Sequence, residues 1–76
     1  MTMTIEEWIR SFAALPPDWD SYGASPIAPD VIERALRLLP FITAAGLHVW
    51  AVPRSDGGIG FEGVGIHEGI DFTVDA

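Results

Sequence analysis

The hydrophobic period of this chain changes at Gly46, and no other feature constrains its fold as much. Before Gly46 apolar residues recur at three- and four-residue spacing, the signature of helices buried on one side. After it they alternate, the signature of strands. With 76 residues there is chain for one core only, so 1-76 is read as a single domain.

Thr4-Ile5-Glu6-Glu7 fits a capping box, with Thr4 as cap and both carboxylates at the positive end of the helix dipole. Ile5, Trp8, Ile9 and Phe12 then form one stripe, and Pro16-Pro17 ends the helix near Leu15. Residues 16 to 28 read as an ordered loop, with Trp19, Tyr22 and Ile27 packed back on the core and Asp18, Asp20 and Gly23 making turns. Pro29 opens a second helix whose buried face is Ile32, Ala35, Leu36 and Leu39. Pro40 either ends it or kinks it before a last turn through Thr43, and Gly46 is the stop signal. Leu47 to Arg54 reads as a strand, Ser55-Asp56-Gly57-Gly58 as a turn, and Ile59 to Glu62 as its returning partner. Ile70, Phe72 and Val74 alternate with Asp71, Thr73 and Asp75 in a third, half-buried strand. Residues 63 to 69 connect the last two strands. The expected fold is α+β: two N-terminal helices packed on one face of a three-stranded antiparallel meander.

Composition excludes several classes of function. Eleven acids against four bases give a net charge of −7, the wrong sign for a protein that holds nucleic acid directly. The hydrophobic fraction of 49%, including three Trp and four Phe, is too high for a disordered acidic tail. No Cys is present, so disulfides and thiolate chemistry are absent. Glu6, Glu7 and Arg10 interrupt the amino end where a secretory leader would be apolar, and Pro40 and Gly46 interrupt the longest uncharged stretch. That stretch also falls short of the roughly 20 residues a membrane helix needs. A cytoplasmic protein without membrane contact is expected.

No assembled active site is legible, and neither an enzymatic activity nor a cofactor is expected. His48, His67 and Glu68 are the only residues that suit a metal site, and two imidazoles on different strands read more simply as structural. The glycines at 57, 58, 60, 63 and 65 precede no helix, which argues for turns and close backbone approach over phosphate binding. Charge is the more informative signal. Residues 55–76 contain Asp56, Glu62, Glu68, Asp71 and Asp75 and no base. A meander would set Asp71 and Asp75 on one solvent face, with Glu62 beside them. Such a face suits a partner whose own site is basic; acids on an exposed strand also serve solubility and keep an edge unpaired. Trp19 and Tyr22 either pin the loop or, if exposed, act as interface anchors. Trp8 and Trp50 fall on periodic faces and are read as core.

Trp19 to Ala24 (W-D-x-Y-G-A), the helix opened by Pro29, and Pro53 to Glu62 (P-x-x-D-G-G-I-x-F-E) resemble a group of small bacterial and phage proteins. The likeness spans about half the chain, and its motifs are structural. In size, acidity and economy of elements the chain is also similar to anti-CRISPR proteins. That likeness implies binding to a CRISPR effector complex, of type I, and blocking its recognition of DNA. The leading expectation is therefore an inhibitor that occupies a basic nucleic-acid-binding surface through Glu62, Glu68, Asp71 and Asp75, with Asp56 as a lesser member. The alternative is an antitoxin-like or small-subunit module using apolar surface, including a homodimer through the sheet edge or the Trp19–Tyr22 loop.

Overall fold

The computed structural model describes residues 2–76. Helix α1 (Ile5–Ser11) runs into a single 3-10 turn, Phe12–Ala14; α2 spans Pro29–Ala44; strands β1 (Val49–Pro53), β2 (Ile59–Gly63) and β3 (Asp71–Val74) follow. The strands form an antiparallel sheet in the order β1-β2-β3. The fold is thus α+β, with two helices followed by a meander, as the change of period predicts.

Each helix starts and stops for a local reason. The Thr4 hydroxyl accepts from the Glu7 amide and the Glu7 carboxylate accepts from the Thr4 amide, both at 3.1 Å, completing the capping box. Pro29 occupies the first turn of α2, where its missing N–H leaves no bond unmade. Pro40 does not end α2, which continues one further turn to bury Ile42. The stop is a left-handed Gly46 (φ 74°). The Gly46 amide donates to Thr43 and the Leu47 amide to Ile42, closing the last turn.

The core joins both layers: Ile9 and Phe12 from the first helical segment, Ile27 from the loop, Val31, Ile32, Ala35 and Ile42 from α2, and Ala51, Ile59, Phe61 and Val74 from the sheet. Ala51, Phe61 and Phe72 lie in one cross-strand row, and Pro53, Ile59 and Val74 in the next. These rows face the helices, so residues of the opposite parity form the other, uncovered side of the sheet. The loop between the helices is stapled to the hairpin by a Ser25 amide to Ser55 carbonyl bond of 2.9 Å, and Ala24 and Ile27 are buried beneath it.

Two sequence expectations change here. Tyr22 does not pack on the core; it is 92% exposed. Trp50 is not a core residue either. Its neighbours Val49 and Ala51 take the inward parity, which turns Trp50 to the open side. There it stacks against Trp8, with ring centroids 6.0 Å apart.

Candidate functional surface

The uncovered side of the sheet carries two of the five acids singled out by charge, Glu62 and Asp71. Trp50, Glu62 and Asp71 lie in one row across the three strands, and Val52, Gly60 and Thr73 in the next. Because Gly60 has no side chain, Val52, Arg54, Glu62, Asp71 and Thr73 surround a shallow depression of about 300 Å³. A Cβ at Gly60 would stand 3.3 Å from Val52 Cγ2 and narrow it.

Register decides how close the two carboxylates come. The Gly63 amide donates to the Ile70 carbonyl at 2.7 Å, which makes Gly63/Ile70 a hydrogen-bonded pair. Glu62/Asp71 is therefore a non-hydrogen-bonded pair, the closer kind, with Cα atoms ~4.5 Å apart. Like charges directly opposite destabilise a sheet. Among the described residues no base lies within ion-pair distance of either carboxylate, although Arg54 lines the same depression. Arg10 is held by Glu6 at 3.1 Å, Arg34 by Asp30 at 3.3 Å and Arg54 by Asp56 at 3.5 Å. Arg37 belongs to α2, in the layer behind the sheet.

The five acids do not form one platform. Glu62 and Asp71 are adjacent, and Glu68 sits on the connection at the same end of the sheet, just after a 3-10 turn at Gly65–His67. Asp75 follows β3 at the other end, four residues or ~13 Å along the strand from Asp71. Asp56 lies in the β1–β2 turn at that end and serves the fold. Its Oδ1 accepts from the Gly58 amide at 2.9 Å, and that bond, aided by Arg54, holds its carboxyl below the usual range.

The aromatic loop separates its two anchors. The Trp19 indole N–H donates to the Ser25 carbonyl at 2.8 Å, pinning the half-buried ring. The Asp20 carboxylate accepts from the Tyr22 and Ala24 amides at 2.8 and 3.1 Å, and the Asp18 carboxylate accepts from Gly23. Asp18, Ser21 and Gly23 all take positive φ, which folds the loop tightly and turns Tyr22 into solvent. The W-D-x-Y-G-A run is thus a self-bonded loop with one free aromatic ring.

The two histidines meet but build no metal centre. His67 Nδ1 accepts from the His48 amide at 2.9 Å, and the rings stack 5.5 Å apart. Among the described residues no group of three His, Asp or Glu side chains is placed to hold a metal ion. Among the described residues no helix is long and apolar enough to cross a membrane. A groove of about 620 Å³ between the helices, lined by Leu36, Leu39, Pro40, Thr43 and Ala44, is larger than the depression on the sheet. Its rim is the already paired Glu6 and Arg10, so it offers no free charge to a ligand.

Trp50, Val52 and Arg54 are the members of this surface that sequence reading missed; the sequence already sets Thr73 on the polar side of the last strand with Asp71. In Leu47 to Arg54 one parity is wholly apolar: Leu47, Val49, Ala51 and Pro53. The other mixes Trp50 and Val52 with His48 and Arg54, a weak local sign that Trp50 faces out. The polar parity of β3, carried across the register, would have identified it. No protein-family model, curated protein or solved structure matches the chain.

Proposed function

We propose that the chain is a protein-binding module that docks the open face of its sheet, centred on Trp50, Glu62 and Asp71, onto a cationic protein surface. The carrying observation is the Glu62/Asp71 pair: two carboxylates in the closest cross-strand position, on an uncovered face, with no ion-pair partner among the described residues. A guanidinium or ammonium group from a partner relieves that repulsion, and Trp50 supplies apolar area beside it. In its narrower form the proposal is a stoichiometric inhibitor of a nucleic-acid-handling complex, as the anti-CRISPR likeness implies. An acidic protein fixed over a phosphate-binding site displaces nucleic acid by denying it the cations that bind phosphate.

The test is competition. A partner captured from host lysate at low salt should be released by duplex DNA, and the folded Glu62→Lys/Asp71→Lys variant should fail to capture it. Equal capture by wild type and variant would refute the reading. One observation favours the apolar alternative: Tyr22 is presented at 92% exposure on a loop clamped at both ends, an anchor that loses little entropy on binding. Capture that resists salt and DNA but disappears in Tyr22→Ala would select it.

A further inference from the structure

The two edges of the sheet are treated differently by the rest of the chain. Along β1 the residues of outward-pointing backbone are Val49, Ala51 and Pro53, since Arg54 and His48 bond to β2 and its flank. Pro53 has no N–H, and the Ala51 carbonyl accepts the Trp8 indole N–H at 2.7 Å. That edge is interrupted at Ala51 by α1 and at Pro53 by the proline, which leaves only Val49 outward at its start. Along β3 the same parity argument turns the amide and carbonyl of Asp71 and of Thr73 outward. Neither residue's main chain bonds to any group beyond the sheet, and both residues are exposed. Only at Asp75 is this edge stopped, where the carbonyl accepts from Arg34 Nη2 at 2.7 Å.

An open pair of ladder residues is a docking rail for an extended chain. The charges beside it select the guest. Asp71 carries its acid on the open sheet face, with Thr73 next along β3 and Glu62 one strand further in, and Asp75 follows just past the end of the strand. A second copy of this chain is disfavoured, because antiparallel pairing of two β3 strands about Thr73 sets Asp71 opposite Asp75. A strand with Lys or Arg opposite Asp71 meets that acid with Glu62 just behind it, and runs on beside Thr73 toward Asp75. We infer that the β3 edge at Asp71 and Thr73 receives an extended basic segment of the partner protein as a fourth strand. This rests on the docking face proposed above and names how the partner enters it.

The probe is a short capped peptide with lysine at every fourth position and threonine between, so that a lysine can stand opposite Asp71 and a threonine beside Thr73. It is compared with a version carrying glutamate for lysine and with a lysine version N-methylated on the amides that would face β3. Amide hydrogen exchange and shifts are read on the isotopically labelled protein. With lysine peptide at about ten times its Kd, exchange at the Asp71 and Thr73 amides should slow about tenfold, the factor set by the unbound fraction. The acidic and N-methylated peptides should leave it unchanged. Equal slowing by the N-methylated peptide would overturn the fourth-strand inference. So would a shift confined to the Trp50 indole and Glu62, although the docking face would then stand. No response to the lysine peptide anywhere would overturn both. Thr73→Pro removes the outward N–H while sparing the β2 ladder, so the folded variant should lose the peptide; retained binding would also overturn the inference. Should that variant fail to fold, the N-methylated peptide decides alone.

Discussion

Gly63 has no room for a side chain. A Cβ there would sit 1.9 Å from the His67 carbonyl oxygen, and at Gly58 it would sit 2.6 Å from that of Val74. Both obstacles are backbone, so neither can swing aside. Gly63→Ala should therefore destabilise at the upper end of the ~1–3 kcal/mol typical of overpacking, measured by urea denaturation. An effect below about 0.5 kcal/mol would mean that the β2–β3 connection lies elsewhere. The sequence shows close approach in the run of glycines, but not which glycine bears it, because that depends on how the 3-10 turn at Gly65–His67 folds back. Titration is the other effect at this scale. Hydrogen bonds from the Thr4 amide and hydroxyl hold Glu7 below the usual carboxylate range, and the Gly58 amide, aided by Arg54, does the same for Asp56. A lowered folded-state pKa contributes stability that is complete above the unfolded value, near pH 4, and is lost as pH falls through the folded value. Glu7→Gln and Asp56→Asn keep the acceptor oxygens and remove the proton equilibrium. Subtracting each variant's melting temperature from that of wild type should give a difference that shrinks from pH 5 to pH 3. A flat difference would contradict the assignment.

At the scale of elements, α2 shows where local preference gives way. Proline inside a helix costs about 3 kcal/mol, and Pro40 leaves the Leu36 carbonyl without its helical donor. Burial of a side chain the size of Ile42 returns ~1.5–3 kcal/mol, and the bonds through Gly46 close the end. The two sides nearly balance, which is why residue preference alone leaves both a stop and a continuation open at Pro40. Pro40→Ala should then raise stability by about 1 kcal/mol or more, or ~4–8 °C in melting temperature for a domain of this size. An unchanged or lower melting temperature would show that the proline fits without strain. The caps, the two helix stripes and the polar-apolar alternation of β3 were legible because each is decided within a few residues. The side to which β1 turns Trp50 was not. The parity of Trp50 mixes His48 and Arg54 with the apolar Val52, a weak signal, and the choice is made by Ala51 packing beside Phe61, ten residues later in the chain.

Across the whole molecule, a charge of −7 is spread over a body only 34 × 27 × 21 Å. At 10 mM salt the screening length is ~30 Å, so most of its charges repel one another; at 150 mM it is ~8 Å and only neighbours do. Stability should therefore increase with salt over this range while binding to a cationic partner weakens, opposite trends from the same charges. Glu62→Lys separates their roles. It replaces a like-charge pair with an attractive one opposite Asp71, which should stabilise the fold by ~0.2–1 kcal/mol and lessen the salt dependence of melting. If Glu62 and Asp71 are a docking site, that more stable protein should bind its partner at least tenfold more weakly, a loss of ~1.4 kcal/mol. Thermal melting and partner affinity measured on the same preparation test both halves. A variant that gains stability and keeps its affinity would reduce the acids to a means of staying soluble with an unpaired edge. Lost affinity in the stabilised variant would mean that the repulsion between these carboxylates is retained for the cation that relieves it.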